Sequence, residues 1–246
     1  MQFLGIIPAR FASTRFPGKP LAKLGQKPMI QWVYESAALV FDRLVVATDD
    51  RRIHDAVKAF GGEAIMTSTM HRSGTERCGE ALNIYSRRLG VSFSHVVNIQ
   101  GDEPLIKKEQ LLLLKECFMD RGTEIATLIR SSDDPAELQD PNVVKVVTDK
   151  SFKALYFSRS PIPYLRESRP DRTTENRFFI HIGLYGYRSE ILEKIVKLSP
   201  TPLEVSESLE QLRWLEHGFH IQTRVTPYLT RGVDTPEDLE AISSMI

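Results

Sequence analysis

The sequence predicts an α/β fold: a Rossmann-like mixed, mostly parallel sheet flanked by helices, with a smaller antiparallel insertion. Three observations predict it. In the first half, short apolar runs with β-branched residues alternate with segments of helical period, the pattern of strand–helix units stacked into a parallel sheet. In the second half the alternation stops, and strand-like runs follow one another around a stretch rich in proline and charge. At 246 residues the chain can bury a sizeable core, and one domain over 1–246 is expected.

Residues 3–8 read as a buried strand, followed by a long loop and a helix over 28–40. Pro28 suits the first helical turn, and Met29, Trp32, Val33, Ser36, Ala37 and Val40 make the inward stripe. Residues 44–48 are the next strand and 51–60 the next helix, which Gly61-Gly62 stops before a short strand at 64–66. A helix over 75–89, a strand over 95–100 and a helix over 107–119 complete the repeated units. Strands over 125–129, 143–148 and 154–158 then come without intervening helices. The stretch 158–177 suggests an antiparallel addition or exposed arm. A strand over 178–187, helices over 189–197 and 206–217, and a last helix over 235–243 capped by Asp234 or Thr235 end the pattern.

Lysine plus arginine equals aspartate plus glutamate at 32 each, which argues against a nucleic-acid binder that neutralises many phosphates. Cys78 and Cys117 have no ligand-like spacing and read as buried free thiols. The chain opens on a strand pattern without a leader-like segment, and no run approaches the ~20 apolar residues of a membrane span. A cytoplasmic protein with no membrane partner is expected.

Four constellations carry chemistry. The first is the loop Pro8-Ala9-Arg10-Phe11-Ala12-Ser13-Thr14-Arg15-Phe16-Pro17-Gly18-Lys19-Pro20, just after the first strand, where open α/β sheets place their ligands. Arg10, Arg15 and Lys19 combine forked and point-like cations beside small residues, which suits a polyphosphate. The second is Gln100-Gly101-Asp102-Glu103-Pro104 at the end of a strand. Asp102 is a candidate hard-oxygen ligand for magnesium, whereas Glu103 is assigned to structure. The third is Gly232-Val233-Asp234-Thr235-Pro236, where Asp234 is either a helix cap or a second carboxylate for the metal. The fourth is His71-Arg72-Ser73-Gly74-Thr75-Glu76-Arg77, a polar loop entering a helix and able to read a base edge, with Ser73 equally readable as a cap. His181, Gly183 and Tyr185 share one strand face by the period of two, and Glu210-Gln211 lie on a helix otherwise patterned by leucines.

Together with Tyr156-Phe157-Ser158-Arg159 and Leu209-Glu210-Gln211-Leu212-Arg213, these motifs resemble the cytidylyltransferases that activate acidic sugars, most closely those acting on 3-deoxy-manno-octulosonate (Kdo). The resemblance covers nearly the whole chain. It implies that CTP and Kdo are the substrates, that CMP-Kdo and pyrophosphate are the products, and that the pathway is lipopolysaccharide assembly. It places the nucleotide on Pro8, Ala9, Arg10, Ser13, Lys19, Ser73, Gly74 and Gln100. It places Kdo on Arg15, Arg77, Gln100, His181, Tyr185, Glu210 and Gln211, with Arg15 near the sugar acid or the phosphates. Mg2+ falls on Asp102 and Asp234, which with Lys19 and Arg10 form the catalytic set. A homodimer is implied, formed through an arm at about 149–177. Two other readings stay open: a cytidylyltransferase for another sugar acid such as a sialic acid, and a non-catalytic sugar-nucleotide sensor.

Overall fold

The computed structural model describes residues 1–12, 16–164, 177–230 and 232–244. Its elements, in chain order, are β1 (Phe3–Ala9), a 3-10 turn (Lys19–Leu21), β2 (Lys23–Leu24), β3 (Lys27–Pro28), α1 (Met29–Ala38), β4 (Leu44–Thr48), α2 (Arg51–Ala59), β5 (Ala64–Met66), α3 (Gly74–Leu89), β6 (His95–Asn98) and α4 (Lys108–Glu116). A 3-10 turn (Cys117–Met119), β7 (Ile125–Ser132), α5 (Pro135–Gln139), β8 (Lys145–Thr148), β9 (Ala154–Ser158), β10 (Phe178–Arg188), α6 (Ser189–Ile195), α7 (Pro202–Glu207), α8 (Glu210–Glu216), β11 (Ile221–Val225) and α9 (Pro236–Ser243) follow. The mixed α/β class with a mostly parallel sheet is as expected from the sequence.

The chain forms two compact units. The first comprises Met1–Leu112, Gly186–Val196 and Thr230–Ile246, and the second Leu113–Tyr185 and Lys197–Leu229. In the first unit the strand order is β6-β1-β4-β5, every pair parallel. All five residues of β4 are buried, as a strand covered on both faces requires. Helices α1, α2 and α3 pack against these strands. From β1 the chain runs outward to β4 and β5, and α3 then carries it back to β6 on the other side of β1. The direction of winding therefore reverses between β1 and β6. Their carboxyl ends open the crevice in which ligands of such sheets bind.

In the second unit β11 pairs in parallel with β7, while β8 pairs antiparallel with both β10 and β9. Thr127 ties β7 to β10, its hydroxyl lying within hydrogen-bond distance of the carbonyls of Ile182 (3.0 Å) and Leu184 (2.8 Å), to either of which its one proton can go. Lys145 is fully buried, and its ammonium donates to the carbonyls of Asp140 (2.9 Å), Val143 (2.7 Å) and Arg159 (2.5 Å).

Several local expectations need correction. The long first loop contains the 3-10 turn at Lys19 and the β2–β3 hairpin, and Pro28 is the N-cap of α1 rather than its first turn. The expectation of no helix between the strands at 125–129 and 143–148 fails, because Asp134 accepts from the Ala136 amide and Pro135 starts α5. The single helix over 206–217 is two. A capping box between Thr201 and Glu204 starts α7 early, and Ser208, at φ 51, ends it in the left-handed region before α8. Strand β11 was missed altogether. Its alternation of buried Ile221 and Thr223 is too short to stand out without its partner β7. Of the arm at 149–177, residues 165–176 lie outside the described residues.

Candidate active site

The parallel pairing of β1 with β6 sets Gly5 beside Val97 and Ile6 beside Asn98, so the strands end side by side. Pro8-Ala9-Arg10 leaves one end and Gln100-Gly101-Asp102 the other. The two turns touch: a Cβ on Gly101 would stand 3.0 Å from the Pro8 carbonyl, so a side chain there would push them apart. The loop after β1 closes on itself where the Gly18 amide donates to the Phe11 carbonyl at 2.9 Å. Gly18 sits at φ 72, a left-handed conformation that an L side chain resists, and the next residue is Lys19.

Asp234 arrives from the far end of the sequence for a packing reason. Leu24, Met29, Val233 and Ile242 form a buried cluster with Phe16, Trp32, Leu105 and Leu239 against it, which seats α9 on the first loop and α1. The Val233 amide then donates to the Asp102 carbonyl at 2.9 Å. Thr235, not Asp234, caps α9, in a capping box with Asp238. The Asp234 carboxylate faces Lys19 instead.

Lys19 Nζ lies 2.5 Å from Asp102 Oδ2 and 3.2 Å from Asp234 Oδ1. Its side chain is 12% exposed, against 31% and 49% for the two aspartates. Two carboxylates therefore converge on one cation at the mouth of the crevice. Next to Asp102, Glu103 is buried, and burial, reinforced by the Asp102 charge, pushes its carboxyl up to about 8, which favours its neutral form. Its assignment to structure agrees with that burial.

On the facing wall, β5 leads through a loop into α3, whose N-cap is Ser73, with its hydroxyl accepting from the Glu76 amide at 3.2 Å. Arg77 is 3% exposed and donates to Thr67 Oγ1 (2.6 Å), the Ser68 carbonyl (3.2 Å) and Asp49 Oδ2 (2.8 Å). Its guanidinium binds the loop down as well as bordering the cavity.

The cavity measures about 330 Å³ and is lined by Pro8, Ala9, Arg10, Lys19 and Pro20, by His71, Arg72, Ser73, Gly74 and Arg77, and by Gln100, Gly101, Asp102 and Asp234. All of these belong to the first unit. The structure thus gathers Pro8, Ala9, Arg10, Lys19, Ser73, Gly74, Arg77, Gln100, Asp102 and Asp234 at one place. Ser13 and Arg15 lie outside the described residues. His71 and Arg72 join the wall although only their motif, not the residues themselves, was singled out. The signal was available in two polar residues directly before a cap.

The remaining candidates lie in the second unit. His181 is held by Thr127, with 3.1 Å between its Nε2 and the hydroxyl, and its ring packs against Phe157 and Tyr185 at 5.1 and 5.2 Å between centroids. Burial lowers its pKa to about 3, so the imidazole is neutral at physiological pH. Tyr185 packs edge-on against Trp214 of α8, the helix that opens with Glu210 and the buried Gln211. These four candidates thus sit on β10 and α8 within one unit.

Comparison with known proteins accords with this geometry. Residues 4–223 match the family described as Cytidylyltransferase. A 3-deoxy-manno-octulosonate cytidylyltransferase of Parabacteroides distasonis is 54% identical over 245 residues, covering 98% of this chain and 96% of the relative. One from Bacteroides thetaiotaomicron is 53% identical over 244 residues, with the same coverage of 98% and 96%. A solved structure of CMP:2-keto-3-deoxy-manno-octonic acid synthetase complexed with CTP is 41% identical, spans 100% of this chain and 98% of its own, and superposes with a TM-score of 0.90. The chain belongs to the cytidylyltransferase family and, within it, to the 3-deoxy-manno-octulosonate cytidylyltransferases.

Proposed function

We propose that this chain activates Kdo with CTP. The anomeric hydroxyl oxygen of Kdo attacks the α-phosphorus of CTP, a new P–O bond forms, the α–β anhydride breaks, and CMP-Kdo and pyrophosphate leave. The observation that carries this reading is the convergence of Asp102, Asp234 and Lys19 in a cavity whose other walls are Arg10 and the Ser73-Gly74 helix start. Transfer of this kind needs alignment and charge neutralisation more than a covalent partner.

The carboxylate pair fits magnesium. Its oxygens are hard donors, and both already hold one cation, the Lys19 ammonium, at 2.5 and 3.2 Å. Mg2+ bound there would neutralise the α-phosphate and make the attacking hydroxyl more acidic. Lys19 gives two of its three N–H donors to the carboxylates, and a cation taking its place there would release them. Its ammonium would then turn to the departing pyrophosphate, where Arg10, on the same cavity wall, would join it. Such aimed charges contribute several kcal/mol to a transition state, on the order of 3 kcal/mol for one donor. Ser73, Gly74 and Gln100 contact the nucleoside. Arg77 and Gln100, which border the same cavity, are assigned to Kdo.

The supply of CMP-Kdo to lipopolysaccharide assembly, a cytoplasmic location and a homodimer complete the reading. They are supported by the family membership. The test is pyrophosphate release with CTP and either Kdo or a sialic acid. Turnover with Kdo at least a hundredfold faster is expected. Equal or faster turnover with the sialic acid, or none with Kdo, overturns the reading. Size-exclusion chromatography tests the dimer.

A further inference from the structure

We propose that Glu80, which lies outside the cavity, is a positioning residue for CTP: it holds the loop 67–72 and aims His71 at the nucleotide. The proposal rests on the cytidylyl-transfer reading. The loop joins β5 to α3, and its last residues, His71 and Arg72, form cavity wall together with Ser73. Glu80, in α3, reaches back across this loop. One oxygen, Glu80 Oε2, meets both the Ser68 amide at 2.7 Å and His71 Nε2 at 2.5 Å.

The other ties of the loop divide the work. Glu76 accepts from the Arg72 amide at 2.8 Å, Thr67 donates its amide to the Thr48 carbonyl at 2.8 Å, and Arg77 grips Thr67 and Ser68 from below. Among the described residues Glu80 alone grips the imidazole at hydrogen-bond distance, since Glu76 Oε2 stands 3.9 Å from His71 Nδ1. With Glu80 ionised, His71 presents Nε2–H to it, which leaves Nδ1 on the other side of the ring. Burial alone would raise the Glu80 carboxyl. The Ser68 amide, His71 and the nearby Arg77 outweigh it and hold the group below its ordinary range. Glu80 is thus a charged anchor at working pH.

A merely structural Glu80 predicts a fall in stability with kcat, and the geometry argues against that. Its side chain is 32% exposed, and a polar pair so placed contributes about 1 kcal/mol or less to stability. Its loss should hardly disturb folding but should free a wall of the cavity.

The experiment measures CTP binding by calorimetry without sugar, and steady-state kinetics with both substrates, for Glu80→Ala, Glu80→Gln, His71→Ala and the Glu80→Ala/His71→Ala pair. Glu80→Ala should weaken CTP binding and raise KM for CTP about tenfold, with kcat and KM for Kdo within twofold. Glu80→Gln, which keeps an acceptor for the Ser68 amide, should be intermediate. The double variant should be no worse than the worse single, because both act through one imidazole. CTP binding unchanged in Glu80→Ala, additive losses in the double variant, or a parallel fall of kcat and melting temperature each overturn the proposal. If the wild type itself binds no CTP, the cytidylyl-transfer reading falls and this proposal falls with it. Wild-type binding with an indifferent Glu80 removes this proposal alone.

Discussion

Lys19 and Lys145 each bury an ammonium among oxygens, yet the oxygens differ. Lys145, fully buried in the second unit, is held by three backbone carbonyls, which are neutral, belong to the fold and have no other cation to receive. Lys19, in the first unit, is held by two partly exposed carboxylates at the cavity mouth. Carbonyls deprived of a buried donor are left unsatisfied, and each costs about 1–3 kcal/mol. Carboxylates that lose an ammonium can take another cation. The first arrangement is a fastener, and the second suits the cation exchange proposed above.

The largest expected effect tests the exchange site. Asp102→Asn or Asp234→Asn should reduce turnover on the order of a hundredfold or more while leaving the melting temperature near that of the wild type. Near-normal rates in both would remove the carboxylate pair from catalysis. Next, Lys145→Met should destabilise the chain by about 3 kcal/mol in urea denaturation, with the KM values of the remaining folded protein unchanged. A stable Lys145→Met would erase the contrast between the two lysines.

Lys19→Met sharpens the comparison from the other side. Without its ammonium the pair should bind Mn2+ in the absence of nucleotide at least about tenfold more tightly, read by electron paramagnetic resonance, since one fewer positive charge competes for the site. The same variant should need more CTP, and not more Kdo, for half-maximal rate. Equal Mn2+ affinity in variant and wild type would deny the exchange.

The smallest effect concerns another buried group of the second unit. His181 has a folded pKa of about 3 against an ordinary 6.5, so between these values the unfolded chain binds more protons. Its contribution to stability is complete above pH 6.5 and is lost as pH falls toward 3. His95, lowered to about 4 by burial and by the positive charges of Arg188 and the N-terminus, acts in the same direction. Replacing His181 with Asn should flatten the loss between pH 6.5 and 5 by about 1–2 kcal/mol. An unchanged pH profile would show the imidazole to be open to water.

Much of the active site was legible because its parts are local. The Pro8-to-Pro20 loop, the Gly101 turn and the Ser73 helix start each carry their chemistry within a few residues and follow readable strands. Other features depended on distant partners. Asp234 reads equally as a helix cap until Thr235 takes that place and leaves its carboxylate facing Lys19. Glu80 gave no sign, because a lone glutamate on a helix looks solvated until a loop folds over it. Strand β11 and the break at Ser208 were hidden for related reasons: a five-residue strand needs its neighbour, and a left-handed serine carries no composition signal.

By itself the sequence determined the class of the fold, the order of most strands and helices, and the kinds of groups offered to a ligand. These follow from periodicity and turn chemistry, which act over one or two turns of chain. Only the tertiary structure decided which charges meet. The winding reversal between β1 and β6 set two turns side by side, and an apolar cluster around Val233 brought Asp234 to them. Lys19 then settled between Asp102 and Asp234. A Coulomb interaction falls with distance through space and is indifferent to distance along the chain.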